Sequence, residues 1–74
     1  MALYDELKEA GCTIDNHESD LYVQVDDVSR SLVRAAIGRG EIGQSTVSTF
    51  RSAINGTLHY DVAFAYAPFW RKRA

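Results

Sequence analysis

Cysteine occurs only once in this sequence, at Cys12. A lone cysteine excludes an internal disulfide, and Cys12, His17 and His59 do not make a zinc spacing. No glycine-rich phosphate loop, serine elbow or metal motif occurs, so no cofactor or metal is expected and an enzyme is not expected. A triad of Cys12, His17 and a neighbouring carboxylate has nothing to fix its geometry. The sequence also has no charged-then-apolar start and no long apolar run. That predicts neither a signal peptide nor a membrane span, and a cytoplasmic protein by default.

Basic residues are almost missing from the first third. Up to Asp27, Lys8 stands alone against Asp5, Glu6, Glu9, Asp15, Glu18, Asp20, Asp26 and Asp27. From Val28 onward the balance reverses, with Arg30, Arg34, Arg39, Arg51, Arg71, Lys72 and Arg73 against Glu41 and Asp61. The net charge of −2 hides this split. Either the two halves neutralise each other on folding, or the molecule presents an acidic face and a basic face to partners.

A chain of 74 residues is expected to be one domain, residues 1–74. At this size only about 60% of the unfolded surface is buried, and the net stability is about 3–5 kcal/mol. Little room remains for an internal catalytic cavity, so the working surface is expected on an outer face.

The most informative stretch runs from Ser45 to Tyr66, where two β-rich runs flank Asn55-Gly56. That dipeptide suits a two-residue type I′ turn. Closing it pairs Ala53 with Leu58, Arg51 with Tyr60, Thr49 with Val62 and Val47 with Phe64. Val47, Thr49, Ala53, Leu58, Tyr60, Val62 and Phe64 then share the face to be covered. Upstream, Ala2–Ala10 reads as a short helix with Leu3, Tyr4, Leu7 and Ala10 on one stripe, stopped by Gly11. Cys12–Asp20 reads as a polar surface loop and Leu21–Val25 as a strand with Leu21, Val23 and Val25 inward. Asp26 or Asp27 caps a second helix over Val28–Ile37. Its expected buried stripe is Val28, Leu32, Ala35 and Ala36, with Val33 and Ile37 at the margin and Arg30 and Arg34 on the outer face. Gly38 and Gly40 end it, and 41–44 reads as a connector. Pro68 cannot continue a central strand, and Phe69 and Trp70 are expected to fold over an open end of the core. The expected class is α+β: a three-stranded antiparallel sheet with two helices on one face, in the order α-β-α-β-β, with the last strand central; the alternative sets the first strand parallel to the second through a right-handed crossover.

Two charged groups are candidate binding sets. Asp5, Glu6, Glu9, Asp15, Glu18 and Asp20 form the acidic one, able to imitate a phosphate track and occupy an Arg/Lys-lined site on another protein. The plain reading of each single acid is a solubilising surface. Arg30, Arg34, Trp70, Arg71, Lys72 and Arg73 form the basic, aromatic one, suited to phosphate contacts and stacking on nucleic acid. The acidic total argues against a dedicated nucleic-acid binder. His59 and Asp61 read as a solvated pair on alternate residues of the outer hairpin face.

Three stretches, His17-Glu18-Ser19-Asp20-Leu21-Tyr22, Thr49-Phe50-Arg51-Ser52 and Phe64-Ala65-Tyr66-Ala67-Pro68-Phe69-Trp70, together resemble a family of small proteins of bacteriophages and mobile elements. Proteins of that kind bind and disable host factors, and anti-CRISPR proteins are one such group. The resemblance implies a non-enzymatic module in the bacterial host cytoplasm. Its expected partner is a host protein or nucleoprotein complex such as a CRISPR effector subunit, met by a monomer or weak dimer with no membrane involved. No functional residue transfers from the family. The alternative expectation is a small nucleic-acid-associated protein using Arg30, Arg34 and the basic tail.

Overall fold

A computed structural model describes residues 2–17 and 20–62. Among these residues the order is α1 (Leu3–Glu9), β1 (Ile14–His17), β2 (Asp20–Gln24), α2 (Asp27–Gly38), a 3-10 turn (Gln44–Thr46), β3 (Val47–Arg51) and β4 (Leu58–Val62). The strands form one antiparallel sheet in the order β1-β2-β4-β3. The α+β class is as expected, and β4 lies between β3 and β2. The sheet, however, has four strands and not three.

The extra strand is β1, which its composition disguises as a loop. Of its residues only Ile14 is apolar, and Ile14 alone is partly buried while Asp15, Asn16 and His17 are exposed. Among the described residues β1 pairs only with β2 and forms an edge, and polar and charged side chains there discourage further strand addition. Strand formation is dictated here by the neighbour's free hydrogen-bonding groups and not by an alternating pattern.

One side of the sheet carries the core. Leu21 and Val23 of β2 and Val62 of β4 are fully buried against Leu3 and Leu7 of α1, Val33 and Ala36 of α2, and Ile42. Both helices therefore lie on that side. Ile42 falls in a stretch that reads as a plain connector, yet it is part of the core.

The stripe of α2 is rotated from the one expected. Ser29, Val33 and Ala36 are buried, Leu32 and Ile37 are partly buried, Ala35 is exposed and Val28 is 50% exposed. The cause is the helix start. Asp26 is the N-cap, and its Oδ1 accepts from the Ser29 N–H at 2.7 Å. Ser29 Oγ accepts from the Asp26 N–H at 2.9 Å and donates to the Gln24 carbonyl at 2.8 Å. This reciprocal box turns Ser29 inward and ties the helix to the end of β2.

Both helices end in the same way. In α1 the Cys12 N–H bonds the Leu7 carbonyl and the Gly11 N–H bonds that of Lys8. In α2 the Glu41 N–H bonds Ala36 and the Gly40 N–H bonds Ile37. Gly11 and Gly40, at φ 78° and 75°, supply the left-handed residue that this Schellman motif needs.

The hairpin register differs from the expected one by two residues: Val47 faces Val62, Thr49 faces Tyr60 and Arg51 faces Leu58. The Ser52 N–H donates to Thr57 at 2.8 Å, and the Gly56 N–H closes back on the Ser52 carbonyl at 2.9 Å. The loop is thus Ala53–Gly56 and not a two-residue turn. It leaves Ile54 96% exposed instead of in a strand. Gly56 still sits at φ 72°, as the Asn-Gly signal requires. A slip of two preserves the side each residue faces, so Val47, Tyr60 and Val62 still pack toward the helices, while Thr49 and Ala53 are exposed. The expectations placed on Glu18, Phe64, Phe69, Trp70 and Arg71–Ala74 lie outside the described residues.

Candidate functional site

No helix among the described residues covers the other side of the sheet. There the registers build a transverse row across all four strands: Asp15 faces Tyr22, Tyr22 faces Asp61, and Asp61 faces Ser48. Directly opposed residues share a side, so Tyr22 is flanked by two carboxylates. Asp20 lies two residues before Tyr22 on the same face and opposite His17. In a second row, Gln24 faces His59 and His59 faces Phe50.

Rings run through these acids in a continuous stripe. The His17 and Tyr22 centroids are 4.4 Å apart, Tyr22 and Phe50 are 4.8 Å apart, and Phe50 stacks on His59 at 5.3 Å and 19°. His17 Nε2–H donates to Asp15 Oδ2 at 2.9 Å. The Thr57 carbonyl accepts from His59 Nδ1–H at 3.0 Å, which fixes that ring. Desolvation, then Asp61, Asp20 and Asp15 in turn, push the Tyr22 hydroxyl above its usual pKa. The negative field of the face thus converges on its central ring.

Asp61 is not the solvated partner of His59 that its spacing suggests. Its Oδ1 is buried and has no hydrogen-bond partner among the described residues. Burial first, and the charge of Asp20 second, raise its pKa above the ordinary 3.8. A carboxyl whose folded pKa is raised costs stability when ionised. That cost is present at neutral pH and is relieved as pH falls through the raised folded value, the relief being complete below 3.8. The ionisable groups around it are Asp15 and His17 of β1, Asp20 and Tyr22 of β2 and His59 of its own strand; β3 offers only Ser48 and Phe50. Asp61→Asn should therefore melt higher than the wild type near neutral pH, and the advantage should shrink toward about pH 4. Urea melts at several pH values measure this, and a pH-independent difference rejects the assignment.

The structure divides the acidic candidates. Asp15 and Asp20 belong to the open face. Asp5, Glu6 and Glu9 sit on α1, on the opposite side of the sheet, and Glu6 Oε1 accepts from Arg39 Nη2 at 2.5 Å. Of the basic candidates, Arg30 and Arg34 line a groove between α2 and the β3–β4 hairpin. Arg51, by contrast, donates to the Gly56 carbonyl at 2.7 Å. Cys12 and His17 are not brought together: Cys12 packs against the core cluster while His17 lies on the open face. Burial, with Asp26 second, raises the Cys12 thiol pKa, away from the nucleophilic thiolate. Among the described residues no group of three or more His, Cys, Asp or Glu is placed to hold a metal ion. None of their helices is long and apolar enough to cross a membrane.

Sequence reasoning put Phe50, His59 and Asp61 on one outer hairpin face, and missed that Tyr22, with Asp15 and Asp20, joins them in one surface. Their alternation within strands was visible, but their alignment depends on three strand registers together. No family model matches the chain, and comparison with curated proteins and with solved structures also finds no match.

Proposed function

We propose that this protein is a non-enzymatic binding module that covers a cationic, nucleic-acid-binding site on a partner protein with the open face of its sheet. The observation that carries this reading is the row Asp15–Tyr22–Asp61 with Asp20 beside it. A surface with carboxylates set about a stack of rings suits arginine and lysine side chains: the acids pair with them, and the ring faces attract them. A set of carboxylates spaced along strands also follows a phosphate track, so the same face competes with a nucleic acid for its site. The resemblance of three stretches to small phage and mobile-element proteins directs the proposal to host defence, with a CRISPR effector complex as the partner class.

The test places the protein in bacterial hosts carrying defined CRISPR systems and measures plaquing by a targeted phage. Plaquing should rise in at least one host, and Asp15→Asn with Asp20→Asn should remove the effect at an unchanged melting temperature. With the effector purified, the variant should lose association rate most, and its deficit should close at high salt, where steering is screened. Plaquing that never changes removes defence as the context. Full activity in the folded double variant removes the open face as the contact.

A further inference from the structure

We infer that the groove between α2 and the β3–β4 hairpin binds a phosphorylated nucleoside, free or as one unit of a single strand, with its phosphate at Arg30 and Arg34. This site lies on the helix side of the sheet and is independent of the acidic open face. The groove is open to solvent along its length and offers about 460 Å³, within the roughly 300–1,000 Å³ typical of small-ligand sites. Val33 and Ile37 of α2 and Val47 and Tyr60 of the sheet give it an apolar lining, with Gln44 and Thr49 on the β3 side.

It exists because the sheet is wider than its helical cover. The core centres on β2 and β4, and β3 at the far edge leaves Val47 only partly buried and Thr49 exposed. Arg30 and Arg34 stand four residues apart on α2, so both project toward this gap. Among the described residues no carboxylate lines it. Arg34 makes no ion pair or hydrogen bond among the described residues, and Arg30 has only Asp27, at 3.9 Å and fully exposed. Two guanidinium groups whose one acidic neighbour among the described residues is the exposed Asp27 call for an anion, and guanidinium geometry matches phosphate oxygens.

The apolar lining calls for more than an anion. A flat ring lies well on Tyr60 between aliphatic side chains. The Gln44 amide and the Thr49 hydroxyl offer both donors and acceptors to a base edge.

The experiment titrates the isotope-labelled full chain with adenosine monophosphate, adenosine, inorganic phosphate and an oligodeoxyadenylate of about ten units, following backbone amides by NMR. The expected result is saturable shifts at Ile37, Val47 and Thr49. Adenosine and phosphate alone should bind about tenfold or more weakly than the nucleotide, a difference of about 1.4 kcal/mol. A response to the mononucleotide identifies a free nucleotide as sufficient, and a response only to the oligomer identifies a strand. Arg30→Gln with Arg34→Gln should abolish the shifts without moving the melting temperature, and Asp15→Asn with Asp20→Asn should leave them intact. Phosphate binding as tightly as the nucleotide, shifts confined to other surfaces, or undiminished binding in the folded arginine variant would each overturn the inference.

Discussion

Leu21→Ala should leave the chain largely unfolded at 25 °C. Leu21 is fully buried, faces Val62 across β2 and β4, and belongs to the same cluster as Leu3 and Leu7 of α1. Truncating a buried leucine costs about 2–5 kcal/mol, through lost transfer energy and the cavity left behind. A domain of this size holds only about 3–5 kcal/mol in total. Collapse of the surrounding side chains offers little relief, because Leu21 is on an interior strand that is hydrogen-bonded on both sides. Urea denaturation followed by circular dichroism measures the loss. A cooperative transition within about 1 kcal/mol of the wild type would show that the core does not centre on β2. The variant also serves as the unfolded control for any binding assay on the open face.

What the sequence made legible follows the range of the interaction. Leu3 and Leu7 of the α1 stripe, the inward Leu21 and Val23, a cap at Asp26 of the two candidates and the positive φ of Gly56 are each set within a few residues, and each is found, whereas Ala10 lies beyond the helix and is exposed. The hairpin faces were also readable, because parity survives a slip of two. Its register was not, since the Ser52–Thr57 closure competes with the tight Asn-Gly turn and wins. β1 escaped notice because an edge strand with one inward apolar residue has no periodic signal. Ser29 was hidden for a different reason. A hydrophobicity pattern puts Val28 inside and the serine outside, but the serine has two backbone partners waiting for it, and the valine has none. The open-face row and the groove need several registers and the placement of α2 at once, so neither is a property of any one segment.

The same limit of range bears on the acids of α1. Ala2, the N-cap of α1, has no side chain able to accept a hydrogen bond, and the Leu3 N–H at the first helical position is satisfied instead by Glu41 Oε2 at 2.7 Å, from 38 residues away. Oε1 of the same carboxylate accepts from Arg39 Nε at 3.0 Å and Nη2 at 2.6 Å, and that Nη2 also reaches Glu6. The Schellman turn at the end of α2 brings Arg39 and Glu41 back to the start of α1, so this cluster joins the two helices. The Glu41 side chain is only 15% exposed, which makes its bonds stronger than those of an exposed surface pair. Glu41→Ala strips the α1 end of its acceptor and leaves Arg39 with Glu6 as its remaining partner in this cluster. A loss of about 1.5–3 kcal/mol is expected, the range for hydrogen bonds to charged groups. Glu41→Gln keeps an oxygen for Leu3 but loses the charge, so it should fall between. Raising the salt should narrow the gap between the wild type and both variants, because the exposed half of the cluster is screened. Urea melts at low and high ionic strength give these values, and a Glu41→Ala variant within about 0.5 kcal/mol of the wild type would remove the cluster from the account of stability. It follows that neutralising Glu6 to probe partner binding also loosens the joint between the helices, whereas Asp15 and Asp20 on the open face are free of that contact.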